Sequence, residues 1–280
     1  MSAIQQMLAA LGGLVGRVWS SGGALATARG YLAGAGTQTA GLAFGGHNGS
    51  NSAVTEEYDG ASWASGGALA TARRELAGAG TQTAGLSFGG ITAVAVQTTE
   101  EYDGASWSGG GNINQARYSL AGAGTQTAGL NFGGYYPASA QDITDEYDGT
   151  SWTSAGNLAA AVFSHAGAGT QTAGLSFGGY VGSASATTNE YNGTSWSSGG
   201  ALAAARVALA GAGTQTAGLS FGGDTGANSA VTEEYDGTSW STGNSLATAR
   251  QLLAGAGTQT AGLSFGGNTG PSSAVTEEYT

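Results

Sequence analysis

Residues 76–107 read LAGAGTQTAGLSFGGITAVAVQTTEEYDGASW, and close variants of this stretch recur along the whole chain. The recurrence is clearest in the tryptophans, which are separated by 44, 44, 45, 44 and 44 residues: Trp19, Trp63, Trp107, Trp152, Trp196 and Trp240. Six Gly-Gly pairs and six tyrosines keep the same spacing. A structural unit that repeats roughly every 40 to 50 residues is typical of a propeller or a solenoid. We therefore interpret the chain as one body of six equivalent units.

Each unit divides into four short strands separated by turns that contain Gly, Asp-Gly or Asn-Gly. The order is a basic residue, a strand of small residues, an apolar strand that ends in Gly-Gly, then Tyr and Trp. This order resembles the kelch repeat from residue 17 to residue 280, although the gap from Tyr58 to Trp63 is shorter than in many kelch units. The resemblance implies an all-β fold, a six-bladed β-propeller of four-stranded antiparallel blades.

The repeat also predicts how the blades pack and how the ring closes. Ala and Gly in LAGAGT, such as Gly34, suit inner strands that crowd around one axis. Phe44, its equivalents and the tryptophans are expected to fill the wedges between blades. The sequence ends after a third strand and its first repeat begins with a fourth. We therefore predict that residues 17–21 pair with the strand ending at Tyr279 and complete the last blade, leaving no open sheet edge.

Composition narrows the classes of function. The net charge is −11 and all seven positive charges are arginines, so binding to a nucleic-acid backbone is not expected. The chain has no cysteine and only two histidines, His47 and His165, which excludes the copper-radical oxidases that resemble kelch propellers. GAGTQTAG lacks the spacing of a phosphate-binding loop and recurs between strands. We predict no enzyme activity, no metal and no cofactor.

The N-terminal segment, residues 1–16, is predicted to lie outside the propeller of residues 17–280. It carries no charged side chain, lacks the basic start of a secretory signal and is too short to span a bilayer. We therefore expect neither a Sec signal nor membrane insertion. Ile4, Met7, Leu8 and Leu11 have the spacing of an apolar stripe on a short helix. The stripe would cover one end of the channel, dock on an outer blade, or contact other proteins of a larger assembly such as a virion.

The loops after Gly-Gly differ from unit to unit, whereas the Thr-Gln-Thr turn is the same in all six. In an antiparallel blade these loops and the crossovers emerge on one face, and the uniform turns emerge on the other. Loops on a rigid scaffold concentrate binding residues. The candidate ligand-binding residues in these loops are His47, Tyr135, Tyr136, Asp142, Tyr180, Asp224 and Asn268. The alternative interpretation is neutral drift in surface loops.

Five arginines stand three positions before the inner strand, and Val162 takes the sixth place. These are Arg29, Arg73, Arg117, Arg206 and Arg250. They are predicted to form a ring near the channel mouth, suited to a carboxylate, phosphate or sulfate. Kelch propellers that this chain resembles hold acidic peptides with arginines at similar positions. The alternative is that each arginine ties one blade to a glutamate or carbonyl of the next, because a buried arginine must be paired.

Fifteen of the eighteen acidic residues fall in the repeated EEYDG stretch, for example Glu56, Glu57 and Asp59. We interpret them as outer-strand and turn residues that discourage edge pairing and keep a Gly-rich body soluble. A calcium site in these turns is not supported, because no short loop offers several oxygen ligands.

The function predicted from the sequence is a non-enzymatic binding module at a virion or cell surface. Its partner would be a glycan or an acidic ligand held by the variable loops. The Ala/Gly/Thr-rich repeats and the short uncharged N-terminal segment resemble kelch-like proteins of tailed bacteriophages, for which receptor binding is the usual expectation. The alternative is a structural decoration or appendage subunit of a virion, in which the loops bind nothing.

Overall fold

The computed structural model describes residues 16–280, so the predicted N-terminal helix with its apolar stripe lies outside the described residues. Within this range, 24 strands form six four-stranded antiparallel sheets. The innermost strands are β2 (Ala33–Thr37), β6 (Ala77–Thr81), β10 (Ala121–Thr125), β14 (Ala166–Thr170), β18 (Ala210–Thr214) and β22 (Ala254–Thr258). The second strands are β3 (Ala40–Phe44), β7 (Ala84–Phe88), β11 (Ala128–Phe132), β15 (Ala173–Phe177), β19 (Ala217–Phe221) and β23 (Ala261–Phe265).

The third strands are β4 (Thr55–Tyr58), β8 (Thr99–Tyr102), β12 (Thr144–Tyr147), β16 (Thr188–Tyr191), β20 (Thr232–Tyr235) and β24 (Thr276–Tyr279). The outer strands are β1 (Trp19–Ser21), β5 (Trp63–Ser65), β9 (Trp107–Gly109), β13 (Trp152–Ser154), β17 (Trp196–Ser198) and β21 (Trp240–Thr242). We number the blades 1 to 6 by their inner strands, from β2 to β22. The predicted six-bladed propeller is confirmed.

The ring closes as predicted, through a blade shared by the two ends of the described chain. Strand β1 pairs with β24, with Trp19 opposite Tyr279 and Ser21 opposite Glu277. Val18 and Thr280 extend this pairing: their amides donate to each other's carbonyls at 2.8 and 3.0 Å. Blade 6 therefore has four strands like the other five, and β24 presents no open edge.

Glycines in the inner strands let neighbouring blades approach closely. A Cβ atom added to Gly78 of β6 would lie 2.5 Å from Cζ of Phe44 and 3.0 Å from the carbonyl oxygen of Gly34, both in blade 1. Every inner strand has a glycine in the same situation. The phenyl ring of one blade therefore occupies the space that a side chain on the next inner strand would need.

Each tryptophan joins its own blade to the preceding one, as predicted. Trp107 of blade 2 packs on Phe44 of blade 1 with ring centroids 4.9 Å apart, and its indole Nε1 donates to Oγ1 of Thr55 at 2.9 Å. The six equivalent indole bonds measure 2.8 to 3.0 Å. Burying an aromatic side chain of this size removes about 150 to 250 Å² from water, so these contacts are a main source of cohesion between blades.

The uniform Thr-Gln-Thr turn has a structural cause. The side-chain amide of Gln82, in the turn that follows β6, donates to the carbonyls of Gly41 and Tyr58 in the preceding blade, at 3.1 and 2.7 Å. The other five glutamines make the equivalent pair of bonds. A change at this position would leave two carbonyls without a partner, and the turn is therefore the same in all six units.

The propeller has two different faces, and we name them by their loops. The uniform face carries the turn at residues 38–39, the turn at residues 59–62 and their equivalents in the other blades. The variable face carries the loop at residues 45–54, the crossover at residues 66–76 and their equivalents. Sequence differences between blades concentrate on the variable face, so it is where the blades offer distinct chemistry.

Candidate functional site

The five repeated arginines are buried inside the blades rather than exposed around the channel mouth. All five have zero exposed surface, and each forms an ion pair with the acidic residue at the second position of its blade's third strand. In blade 5, Nη2 of Arg206 lies 2.9 Å from Oε1 of Glu233 and 2.6 Å from Oγ of Ser220, and Nη1 donates to the carbonyls of Gly222 and Val231 at 2.8 Å each. Burial lowers the pKa of Arg206, and the carboxylate of Glu233 partly offsets this.

The predicted arginine ring is therefore corrected: a ligand at the surface finds no exposed guanidinium among Arg29, Arg73, Arg117, Arg206 and Arg250. The alternative considered above was that each arginine ties one blade to a glutamate or carbonyl of the next. The arginines are indeed buried and paired, but each bonds to the acid of its own blade and so ties the preceding crossover into that blade. Glu233 also accepts a bond from the backbone amide of Ala203 in the same crossover, at 2.6 Å. The pair thus fixes the path of the crossover, and with it the mouth of the channel.

Blade 4 shows that the arginine and its acid belong together. It carries Val162 in place of the arginine and Asn189 in place of the acid, so neither charge is left alone in its interior. The repeat comparison noted the valine but missed the asparagine. An isolated buried charge costs several kcal/mol, of the order of 3 to 5. Loss of both partners in the same blade is what a purely structural ion pair predicts.

The repeated acidic residues also need a different description from the one expected. Glu56 is 1% exposed and pairs with Arg29. Glu57 accepts a hydrogen bond from the hydroxyl of Tyr102 in the next blade, and Asp59 accepts bonds from the amides of its own turn. The prediction of exposed outer-strand charges holds only for turn residues such as Asp59. The others bond within and between blades.

The mouth of the channel on the variable face is lined by six residues of changing identity: Tyr31, Glu75, Ser119, Ser164, Ala208 and Leu252. All six have positive φ angles, between 52° and 57°, and every other residue with positive φ in the described chain is glycine. Their backbones form a closed ring, because the amide of each donates to the carbonyl of its predecessor at 2.8 to 2.9 Å. The backbone at the mouth is thus constant while its side chains vary.

The next residue in each blade is a leucine, or His165 in blade 4, and these six residues line the same depression as a second, mostly buried ring. The depression above this ring has a volume of about 100 Å³. Going round the mouth, Ala208, Leu252 and Tyr31 form a mainly apolar half, and Glu75, Ser119 and Ser164 form a polar half. Glu75 accepts a hydrogen bond from Oγ of Ser119 and lies 3.3 Å from Nε of Arg74.

Sequence reasoning missed these six residues, because the repeats were taken to differ only in the loop after Gly-Gly. The repeats also differ at the two positions after each arginine, and those positions lie beside that loop. Antiparallel bridges join them pair by pair: Gly30 with His47, Arg74 with Ile91, Tyr118 with Tyr135, Phe163 with Tyr180, Val207 with Asp224, and Gln251 with Asn268. Each blade therefore presents one mouth residue and one bridged pair.

Several predicted loop residues make bonds within their own loops. Oδ1 of Asp224 accepts a bond from the amide of Gly226 at 2.6 Å, and Oδ1 of Asn268 does the same with Gly270 at 2.9 Å. Nδ1 of His47 accepts from the amide of Gly49 at 3.3 Å. These three side chains shape their loops and keep part of their surface exposed. A ligand-binding role for them stays a prediction.

The aromatic candidates are brought together in blades 3 and 4. Tyr135 packs against Tyr118 at 5.5 Å and Phe163 at 4.9 Å between ring centroids, and Phe163 packs against Tyr180 at 5.2 Å. We call these four side chains the aromatic cluster. Tyr180 is 39% exposed, and the other three are half-buried. Tyr136 and Asp142 lie half-buried in the same blade 3 loop.

No protein-family description and no curated protein matches this chain significantly in sequence. The assignment of the fold is therefore based on the strands and their pairing alone. The kelch and bacteriophage resemblances are based on the repeat residues quoted above. Within residues 16–280, no helix has the length and apolar character needed to cross a bilayer. The same residues contain no group of three or more His, Asp or Glu side chains arranged to hold a metal ion.

Proposed function

We propose that the protein is a non-enzymatic binding module that holds a neutral glycan at the channel mouth on its variable face. The observation that carries this proposal is the ring of six side chains with positive φ. A residue other than glycine in this conformation is strained by about 1 to 3 kcal/mol when its side chain is bulky. Within residues 16–280, glycine occupies the other positions with positive φ, whereas the mouth keeps Tyr31, Glu75 and Leu252. Large side chains that are kept despite backbone strain point to a function for these side chains.

Charge favours a neutral ligand over the acidic one that the sequence also allowed. The expected cations are buried and paired. Among described residues, the charged side chains of the mouth and variable loops are Arg74, which pairs with Glu75, and the carboxylates of Asp142 and Asp224. An anionic ligand would meet net negative charge, whereas the hydroxyls of a neutral sugar would find acceptors in Glu75 and the serines.

Binding to an array of neutral and acidic glycans tests the proposal, with glycine substitutions as the decisive variants. Tyr31→Gly, Glu75→Gly and Leu252→Gly together remove three side chains without disfavouring the backbone, so we expect at least a tenfold loss of binding with an unchanged melting temperature. The matched control changes Thr39, Thr83 and Thr127 on the uniform face to alanine and should bind normally. Equal binding by both triple variants, or no glycan bound by the native protein, would refute the proposal.

The biological setting, a virion or cell surface, is part of this proposal and is supported by the bacteriophage resemblance of the repeats. A structural subunit remains the second candidate, and one observation favours it: the uniform face presents six copies of the same exposed Thr-Gln-Thr turn, a repeated surface suited to assembly. The two candidates predict different sensitivities. If the protein is an adhesin, it should compete for adsorption to host cells in a way that depends on Tyr31 and Leu252. If it is structural, it should not compete for adsorption, and its assembly should depend on the uniform-face threonines.

A further inference from the structure

The aromatic cluster is not required by the fold, because four blades have the same backbone without it. Blades 5 and 6 place Val207 with Asp224 and Gln251 with Asn268 at the equivalent bridged positions. The backbone hydrogen bonds of these pairs match those of Phe163 with Tyr180: 2.8 and 3.1 Å in blade 5 against 2.9 and 3.3 Å in blade 4. Aromatic side chains therefore occupy blades 3 and 4 for a reason other than closing the loops.

The cluster borders the channel mouth directly. Tyr118 precedes the mouth residue Ser119, and Phe163 precedes the mouth residue Ser164. The rings of Tyr118, Tyr135, Phe163 and the exposed Tyr180 follow one another through three contacts of 4.9 to 5.5 Å, and so run beside the mouth from blade 3 to blade 4. The cluster and the polar half of the mouth thus form one continuous surface across neighbouring blades.

The chemistry of this surface is that of a carbohydrate platform. The four rings provide apolar area for the C–H faces of pyranose rings, and tyrosines combine such area with a hydroxyl at the tip. The hydroxyls of Tyr118, Tyr135 and Tyr180 form no hydrogen bond with any described residue. No member of the cluster is charged. Arg117, next to Tyr118 in sequence, is buried and paired with Asp145, and Arg74 and Glu75 at the mouth pair with each other. The surface therefore complements an uncharged ligand.

We propose that the aromatic cluster is an extended subsite for a neutral, unbranched oligosaccharide whose terminal residue enters the channel mouth beside Glu75. This inference rests on the proposed function and adds ligand length and direction to it. A ligand that used the mouth alone would gain nothing from additional sugar residues. A ligand that follows the cluster toward Tyr180 would bind more tightly with each residue until the rings are covered.

Calorimetric titration with β-1,4- and α-1,4-linked gluco-oligosaccharides of one to six residues tests this directly, with oligogalacturonates of equal length as the charged comparison. The test variants are Phe163→Val and Tyr135→Ile, which introduce the side chains of the equivalent positions in blades 5 and 2 and so should fold. The matched control is Gln251→Val, the same type of position in blade 6, on the opposite side of the ring.

We expect one neutral series to bind with an affinity that rises at least tenfold from one to six residues. Each aromatic variant should weaken the longest ligand by about fivefold to tenfold, the contribution of one aromatic contact, and leave the shortest ligand unchanged, while Gln251→Val has no effect. Affinity that does not depend on length, aromatic variants that bind the longest ligand normally, or preference for the galacturonates would overturn this inference. In the first two cases the mouth would still bind a neutral sugar and the proposed function would stand. Preference for the galacturonates, or no bound glycan, would refute the proposed function as well.

Discussion

Replacing Arg206 and Glu233 of blade 5 with the valine and asparagine that blade 4 has at these positions tests whether the buried ion pairs are structural. Arg206→Val leaves the carboxylate of Glu233 buried with only the amide of Ala203 as partner, and Glu233→Asn leaves the guanidinium of Arg206 with neutral acceptors. Removing one partner of a buried pair costs about 3 to 5 kcal/mol. We expect Arg206→Val to reach the upper part of this range and Glu233→Asn the lower part, because Arg206 keeps three acceptors.

The double variant reproduces the combination that blade 4 carries, Val162 and Asn189. Its loss of stability should be far smaller than the sum of the losses in the two single variants. It buries no unpaired charge, so its remaining cost is the space that the guanidinium leaves, about 1 to 2 kcal/mol. The single and double variants together therefore predict a coupling energy of at least ~3 kcal/mol. Urea unfolding followed by tryptophan fluorescence measures it, because the indoles lie between the blades.

The control for this cycle is Thr238→Ala with Ser241→Ala, two surface changes in the same blade that should be additive and nearly neutral. Additive losses from Arg206→Val and Glu233→Asn would refute the reasoning, since they would mean that the two side chains stabilise the blade independently. Wild-type glycan binding in the double variant would in addition show that Arg206 does not contact the ligand.

Three further outcomes follow from the structure. Burial lowers the pKa of His165 to about 3, and neither ring nitrogen has a described partner, so protonation of this side chain opposes folding. The free energy of unfolding should therefore be constant above about pH 6.5 and fall as the pH drops toward 3. His165→Leu should remove this fall in urea titrations, and an unchanged acid profile would contradict it. Burial raises the pKa of Tyr58 and Tyr102 to about 12, so their contribution to stability should persist to about pH 10 and be lost as the pH rises through 12. Tyrosinate absorbance and loss of circular dichroism should appear together, and ionisation well before unfolding would count against this. Deleting residues 1–21 removes β1 and the contact of Trp19 with Phe221, and should lower the melting temperature by roughly 10 °C. An unchanged melting curve would show that blade 6 does not need this strand.

The fold could be predicted from the sequence because each repeated residue makes the same contact six times. A tryptophan every 44 residues fixes the number of blades, and the position of Trp19 relative to Tyr279 fixes the closure. The arginines could not be assigned in the same way, because a repeated arginine before an inner strand is compatible with both a ligand ring and a buried pair. The sequence did contain the deciding signal: Asn189 replaces the acid in the one repeat where Val162 replaces the arginine.

The mouth residues were missed for a different physical reason. Positive φ at Tyr31 or Leu252 goes against the intrinsic preference of these residues and is imposed by the ring of backbone hydrogen bonds between blades. Sequence preferences describe local energies, and here six blades jointly override them. Such positions are found only by aligning the repeats against one another and asking where side chains differ beside the axis.

The structure separates the residues that hold the blades together from those that differ between blades. Trp107, Gln82 and Tyr102 each bond to the preceding blade, and their equivalents do the same around the ring. The bridged pairs of the variable face keep one backbone geometry whether they carry Phe163 with Tyr180 or other residues. Because the side chains of these pairs are not needed for that geometry, a change there costs little stability. A propeller built this way can change the side chains of its variable face without changing how it folds, as the proposed binding function requires.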